Sequence, residues 1–341
     1  MSKTTFYSFP LLLSLLLVTL PGCFDSGVIS MGAHYDEEER VEFECEPPVL
    51  PSTLEVRSGA GAISIEGWDK KTVKILAIER GATLSDLEHI TPVVTCSDDG
   101  FSVRTQYDKR FVKAFINYKL KIPREMILKK VKTASGSIKI NGVTGNITAE
   151  SGAGRIDVLG AHGKTKVQTG SGSVVVKQAA GAHGLVKAGT GSGRIKIKNA
   201  HGKINAAAGS GSISIDCADS ARGDIDVDTG SGRIDILNAV DNVTADTGSG
   251  TVVVKHRGLK PETKVDLKSS SGRVELMIPS TSSAYLSIKT KRGNFGSAFP
   301  IKPIGENITH EEMTAKIGGS DPEGAHVFLQ SSIGNIRILK Y

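Results

Sequence analysis

Three histidines, His162, His183 and His201, occur in matching Ala-His-Gly turns. If these turns stack, the imidazoles form one column, in which neighbouring rings could bind a transition metal or titrate near neutral pH. Other repeats carry threonine, arginine or aspartate at the same turn position. That variation is typical of a polar turn residue copied with its repeat. We favour this second interpretation and predict neither a metal nor another cofactor.

Carboxylates alternate along one segment, at Asp224, Asp226 and Asp228, shortly after Asp216 and Asp219. Alternate residues of a strand share a face, so these side chains could form an acidic cluster, as in several β-helical polysaccharide lyases. A solvated acidic strand face explains the same pattern, and we favour it. The many serines have no recurrent base partner, and no Gly-Lys-Ser/Thr follows the Gly-Ser-Gly turns. We therefore predict that the protein is not an enzyme, with a β-helical carbohydrate-active enzyme as the alternative.

Four cysteines are present. Cys45 and Cys96 both fall in predicted strands, and an oxidising compartment would allow a disulfide between them. Cys217 lies inside the repeats, where a small buried residue is the simplest interpretation. No pair has the spacing of a zinc site.

The segments that position these residues are repeats, which begin near residue 134. In each repeat a glycine is followed by two apolar residues that alternate with polar ones. This alternation is the period of a β-strand. The aligned glycines are Gly136, Gly154, Gly172, Gly193, Gly211, Gly232, Gly250 and Gly272.

A second short strand follows within each repeat, as in Ile147/Ala149 and Ile225/Val227. One such unit is too small to bury its apolar face alone, so neighbouring units must stack. The pattern therefore predicts an all-β protein. Its fold is a parallel β-solenoid of about 18–22 residues per rung with two short strands each. An irregular N-terminal β cap, with a short helix near residues 84–90 capped by Ser85, precedes the solenoid.

These patterns divide the chain into five segments. We assign a signal peptide to residues 1–22, a linker to 23–40, and the N-terminal cap with a first rung to 41–133. The solenoid repeats occupy 134–295, and a C-terminal insertion with a capping rung occupies 296–341.

The N-terminus carries an export signal. Lys3 precedes an uncharged, leucine-rich run that is too short for a comfortable membrane span of about 20 residues. The residues Leu20-Pro21-Gly22-Cys23 that follow resemble a bacterial lipobox, which implies that Cys23 is lipidated and becomes the mature N-terminus. Phe24 stands where an aspartate would resemble an inner-membrane retention signal. We therefore expect a lipid-anchored envelope protein of the outer membrane.

The recurring Thr/Gly-Ser-Gly-x-Ile-x-Ile pattern, with the strand that ends at Ile122-Pro123, resembles a bacterial domain-of-unknown-function family of adhesin-like proteins with β-strand repeats. The resemblance covers roughly residues 41–341. It implies a surface or scaffold role without catalytic residues.

The charge and the aromatic content of the chain restrict the classes of partner that we predict. The net charge of +6 is no nucleic-acid signature, and no aromatic residue lies between Ala134 and Ala284. Aromatic platforms are usual where single-stranded nucleic acids bind, and they are equally usual at sugar-binding surfaces. The predicted partners are the membrane, through the anchor, and an envelope or surface protein or polysaccharide, but not nucleic acid. A signalling or stress-response partner of a membrane complex is a further alternative.

Overall fold

The computed structural model describes residues 35, 37–46, 52–97, 100–219, 221–304, 311–319 and 324–341. Cys23 and the predicted signal peptide lie outside these residues. The described chain is almost entirely β-structure, arranged in two mostly parallel sheets whose inward side chains share one hydrophobic core. The predicted all-β parallel solenoid is confirmed.

The N-terminal region contains eight strands and one short helix. In chain order they are β1 Glu37–Cys45, β2 Thr53–Ser58, β3 Ile63–Trp68, β4 Val73–Gly81, α1 Leu84–Leu87, β5 Ile90–Ser97, β6 Gly100–Tyr107, β7 Ala114–Pro123 and β8 Ile127–Thr133.

The helix differs from its prediction. It has only four residues, and its N-cap is Thr83 rather than Ser85. The Thr83 hydroxyl accepts a hydrogen bond from the Asp86 backbone N–H at 3.1 Å. Threonine and serine cap helices in the same way, so the sequence alone did not separate the two positions.

The repeats supply fifteen strands that alternate between the two sheets. They are β9 Ile138–Asn141, β10 Ile147–Ser151, β11 Ile156–Ala161, β12 Thr165–Thr169, β13 Val174–Gln178, β14 Val186–Thr190, β15 Ile195–Ala200, β16 Ile204–Ser210, β17 Ile213–Cys217, β18 Ile225–Ser231, β19 Ile234–Ala239, β20 Val243–Ser249, β21 Val252–His256, β22 Lys264–Ser269 and β23 Val274–Ile278.

Six strands form the C-terminal part. They are β24 Ala284–Thr290, β25 Phe295–Ser297, β26 Lys302–Pro303, β27 Glu312–Ile317, β28 Ala325–Ser331 and β29 Ile336–Lys340.

Sheet A runs β1-β4-β7-β3-β9-β11-β13-β15-β17-β19-β21-β23-β29-β25, and sheet B runs β26-β27-β24-β28-β22-β20-β18-β16-β14-β12-β10-β8-β2-β6-β5. Each rung places one strand in each sheet. The parallel strands pair in register, so similar residues of successive rungs lie on top of one another, as Val174, Ile195 and Ile213 do. The predicted inward residues are accordingly buried, with Ile195 and Ile234 both 0% exposed.

Rung order in space departs from chain order at both ends. The rung β6/β7 lies outside β2/β3, although it follows it in the chain. The pattern at residues 334–338 does mark a rung strand, Ile336–Lys340, but β28/β29 lies between β22/β23 and β24/β25 instead of capping the stack. The outer edge of β24 is covered by β27, which pairs with it in antiparallel fashion.

The aligned glycines are required because successive rungs approach too closely for a side chain. A Cβ on Gly193 would overlap the carbonyl oxygen of Gly172, and a Cβ on Gly211 would overlap that of Gly193. The overlaps follow spatial order even where it departs from chain order. Gly334 lies against Gly272, and Gly293 lies against Gly334.

A column of buried hydroxyls stabilises the same corner. Each hydroxyl lies three residues before the glycine of its own rung and donates to the glycine carbonyl of the preceding rung at 2.8–3.2 Å. These residues are Thr133, Ser151, Thr169, Thr190, Thr229, Thr247, Ser269 and Ser331. The column is interrupted between Thr190 and Thr229 by Ala208, which is 6% exposed.

This interruption gives a matched test of the hydroxyl column. Ala208→Thr and Ala208→Val add side chains of similar shape, but only threonine can donate to the Gly193 carbonyl. The threonine variant is expected to be more stable than the valine variant by about 1 kcal/mol, the usual net contribution of such a hydrogen bond. Urea denaturation of both variants measures the difference. Equal stabilities would show that the hydroxyl contributes nothing at this corner.

Candidate functional site

The turn histidines come together only in part. His162 and His183 are exposed, whereas His201 is buried at 5% exposure. The ring centroids of His183 and His201 are 6.4 Å apart, with the rings nearly perpendicular. Among the described residues no three His, Cys, Asp or Glu side chains are grouped to hold a metal ion. The favoured interpretation, a polar turn residue copied with its repeat, stays a prediction, with metal or proton binding as its alternative.

The acidic run is divided between the two sheets. Asp224, Asp226 and Asp228 point outward from β18 in sheet B. Asp216 lies in sheet A and accepts a hydrogen bond from Asn238 at 3.0 Å. Asp219 pairs with Arg257 at 2.9 Å. The five carboxylates therefore do not form one cluster.

Charges of each sign are grouped on the outer face of sheet B. Four lysines, Lys164, Lys166, Lys187 and Lys203, lie on or just before β12, β14 and β16, and Asp224, Asp226, Asp228 and Asp246 follow on or just before β18 and β20. None of these eight forms an ion pair within the described part of the chain. Burial and then the neighbouring Asp228 raise the pKa of Asp246.

A disulfide connects the two sheets at the N-terminal end. Cys45 of β1 is bonded to Cys96 of β5, and their Cα atoms are 6.9 Å apart. Both strands are edge strands, β1 of sheet A and β5 of sheet B. Cys217 is a buried free thiol whose pKa burial raises to about 12. A thiol with so high a pKa is unreactive near neutral pH.

One further histidine, His256, is fully buried. Its Nδ1 accepts a hydrogen bond from the Gly258 N–H at 3.3 Å, so Nε2 carries the proton and donates to the Asp241 carbonyl at 2.9 Å. Burial lowers the pKa of the ring, which favours its neutral form. Both nitrogens are satisfied, and the role of His256 is structural.

A groove on the outer face of sheet A was missed by the sequence analysis. It lies across β1, β4, β7 and β3, has a volume of about 620 Å³, and contains Trp68, the only tryptophan of the chain. Four lysines and three glutamates line it. They are Lys70, Lys74, Lys119, Lys121, Glu42, Glu44 and Glu66. The sequence feature that could have indicated this groove is Trp68 with Lys70 and Lys71 shortly after it, together with Lys119 and Lys121 on a second strand.

Together the fold and these surfaces define a two-sheet parallel β-solenoid with exposed, charged outer faces. Residues 166–339 match the profile of the Toastrack DUF4097 family. The chain belongs to this family.

Solved structures that match this chain include three bacterial proteins. A "putative cell adhesion protein" from Clostridium sporogenes has 12% identity, with 89% of this chain and 100% of that chain covered and a TM-score of 0.25. A "putative adhesin" from Parabacteroides merdae has 10% identity, with 89% and 97% covered and a TM-score of 0.38. One from Bacteroides fragilis has 12% identity, with 88% and 97% covered and a TM-score of 0.32. A search of curated proteins finds no match.

Proposed function

We propose that the protein is a non-catalytic lipoprotein of the cell envelope that acts as a rigid scaffold with an adhesin-like interaction role. The observation that carries this proposal is the unbroken stack of rungs from β6/β7 to β24/β25. Twelve rungs about 4.8 Å apart extend for about 50 Å. A body of this kind can hold an interaction surface at a distance from its anchor.

The stiffness of the stack comes from its corners. Because each glycine lies against the carbonyl of the glycine one rung away, and each buried hydroxyl bonds across the same step, neighbouring rungs have little freedom to slide. Close-packed protein interiors have low compressibility, so the stack is expected to be rigid. The outer faces meanwhile present charged side chains to solvent, including the two opposite groups on sheet B.

Anchoring through Cys23 belongs to the same proposal. Within the described residues, no helix is long and apolar enough to cross a bilayer. Acyl chains on a lipidated cysteine would supply the attachment, and several chains hold far better than one. With an outer-membrane anchor, the scaffold would stand in the periplasm or on the cell surface.

The experiment compares full-length wild type with Cys23→Ser in a bacterial host fed an alkyne-labelled fatty acid. Wild type is expected to incorporate the label and fractionate with membranes. Cys23→Ser should lose the label and either become soluble or remain unprocessed. Cys217→Ser, which removes a thiol from the core, serves as the control and should behave like wild type. Recovery of unlabelled wild type as a soluble species would overturn the anchored role.

The alternative of a carbohydrate-active enzyme has no specific observation in its favour. Among the described residues, the buried titratable groups Glu79 and Tyr118 lie in the N-terminal region, whereas His201, Cys217 and His256 lie in the repeats. Cys217 and His256 are two rungs from one another. None of them faces the groove beside Trp68.

A further inference from the structure

The groove beside Trp68 has the parts of a binding site with one fixed aromatic wall. The indole Nε1 donates to the Thr72 carbonyl at 2.8 Å, which holds the half-buried ring in one orientation. A ring already held in place loses little conformational freedom when a ligand stacks on it. Trp68 therefore offers a preformed platform.

Cationic groups surround this platform. The Lys70 and Lys121 ammonium groups lie over the Trp68 ring, 5.2 Å and 5.9 Å from its centre, in cation–π contact with it. A ligand that stacks on the ring must displace them from its face. Lys74 is paired with Glu44 at 3.1 Å, but Lys70, Lys119 and Lys121 form no ion pair with any described residue. Three exposed ammonium groups are thus available to an anionic ligand.

Glutamates in the same groove restrict the kind of anion. Glu42 and Glu66 also lack an ion pair with described residues, and carboxylates accept hydrogen bonds from hydroxyl groups. Within a DNA chain both hydroxyls of each deoxyribose are esterified to phosphate, so the sugars have none to donate to these carboxylates. A ligand that carries both acidic groups and many hydroxyls can use the lysines and the glutamates together.

We propose that this groove binds an acidic polysaccharide, a hexose chain with carboxylate groups. One sugar ring stacks on Trp68, its carboxylate meets Lys70 and Lys121, and hydroxyls donate to Glu66 and Glu42. The inference rests on the proposed interaction role and gives it a partner chemistry. The platform lies at the N-terminal end, outside the stretch from Ala134 to Ala284 that has no Phe, Trp or Tyr.

Trp68 is its own reporter, since its fluorescence is the only indole signal of the chain. The full-length protein in detergent is titrated with polygalacturonate oligomers, with dextran of equal length and with single-stranded DNA. Polygalacturonate is expected to give a saturable change in emission, whereas dextran and DNA should bind at least tenfold more weakly. Equal binding of dextran would overturn the acidic part of the proposal, and tighter binding of DNA would overturn the polysaccharide.

Variants measured by calorimetry locate the site. Trp68→Ala is expected to weaken polygalacturonate binding at least tenfold and Lys121→Gln about threefold to tenfold. Lys255→Gln is the matched control, because Lys255 lies 4.1 Å from the Tyr341 ring in another part of the molecule. It should bind like wild type. Unchanged affinity in both groove variants would overturn the assignment, while the Cys23 labelling result would stand independently.

Discussion

Replacing Gly193 by alanine is expected to lower the free energy of unfolding by about 3 kcal/mol, near the upper end for overpacking a rigid site. The new Cβ would lie 2.6 Å from the Gly172 carbonyl carbon and closer still to its oxygen. Both groups are backbone, so no side-chain rotation relieves the contact. The rungs on either side would have to separate.

Gly189→Ala is the matched control, four residues earlier in the same repeat. A Cβ there would meet only the Gln168 side chain, at an ordinary 3.6 Å. Its effect should be near zero or slightly stabilising, because alanine reduces the freedom of the unfolded chain. Urea denaturation followed by circular dichroism measures both variants. Similar losses in the two would mean that glycine serves flexibility at these corners instead of close approach.

Ile195→Asp is expected to be at least as damaging, with a loss of about 4 kcal/mol or more and unfolding of adjoining rungs. Ile195 is fully buried between Val174 and Ile213. The substitution removes about 2 kcal/mol of apolar burial and adds a carboxyl group with no partner. Ile234→Asp should act in the same way, since Ile234 is equally buried.

The control for this substitution is Lys196→Asp, which places the same carboxyl group one residue further on the exposed face. Its melting temperature should change little, because isolated surface charges contribute little to stability. If Ile195→Asp melted like Lys196→Asp, the inward assignment of the repeat would be wrong.

The sequence was sufficient for the rungs but not for their order. Alternating pairs such as Ile195/Ile197 have only one face to bury, so the side of the strand that points inward follows directly from the pattern. Which rung lies next to which does not. The apolar pair Ile336/Ile338 has the same pattern as the pairs of the other rungs, so the sequence does not specify its neighbours. The structure shows that these residues lie between β23 and β25.

Sites outside the repeats were harder to find, for a related reason. A repeat draws attention to positions that recur, as the turn histidines do. The chain has one tryptophan, Trp68, and its neighbour Lys121 comes from β7, a strand that is distant in the chain. The hydroxyl column did recur, three residues before every aligned glycine from Thr133 onward except at Ala208. The hydroxyl column could have been predicted from the positions of serine and threonine in the sequence alone.

The position of β28/β29 has a consequence for how the protein is made. Residues 284–297 precede residues 325–340 in the chain, yet the later segment lies between the earlier one and residues 264–278. This end therefore cannot fold by adding each rung to the last in chain order. Either a gap one rung wide stays open until residues 325–340 enter it, or an early pairing of β22 with β24 is exchanged for the final one. In the first case two unpaired strand edges face each other, and exposed edges are the usual starting points of aggregation.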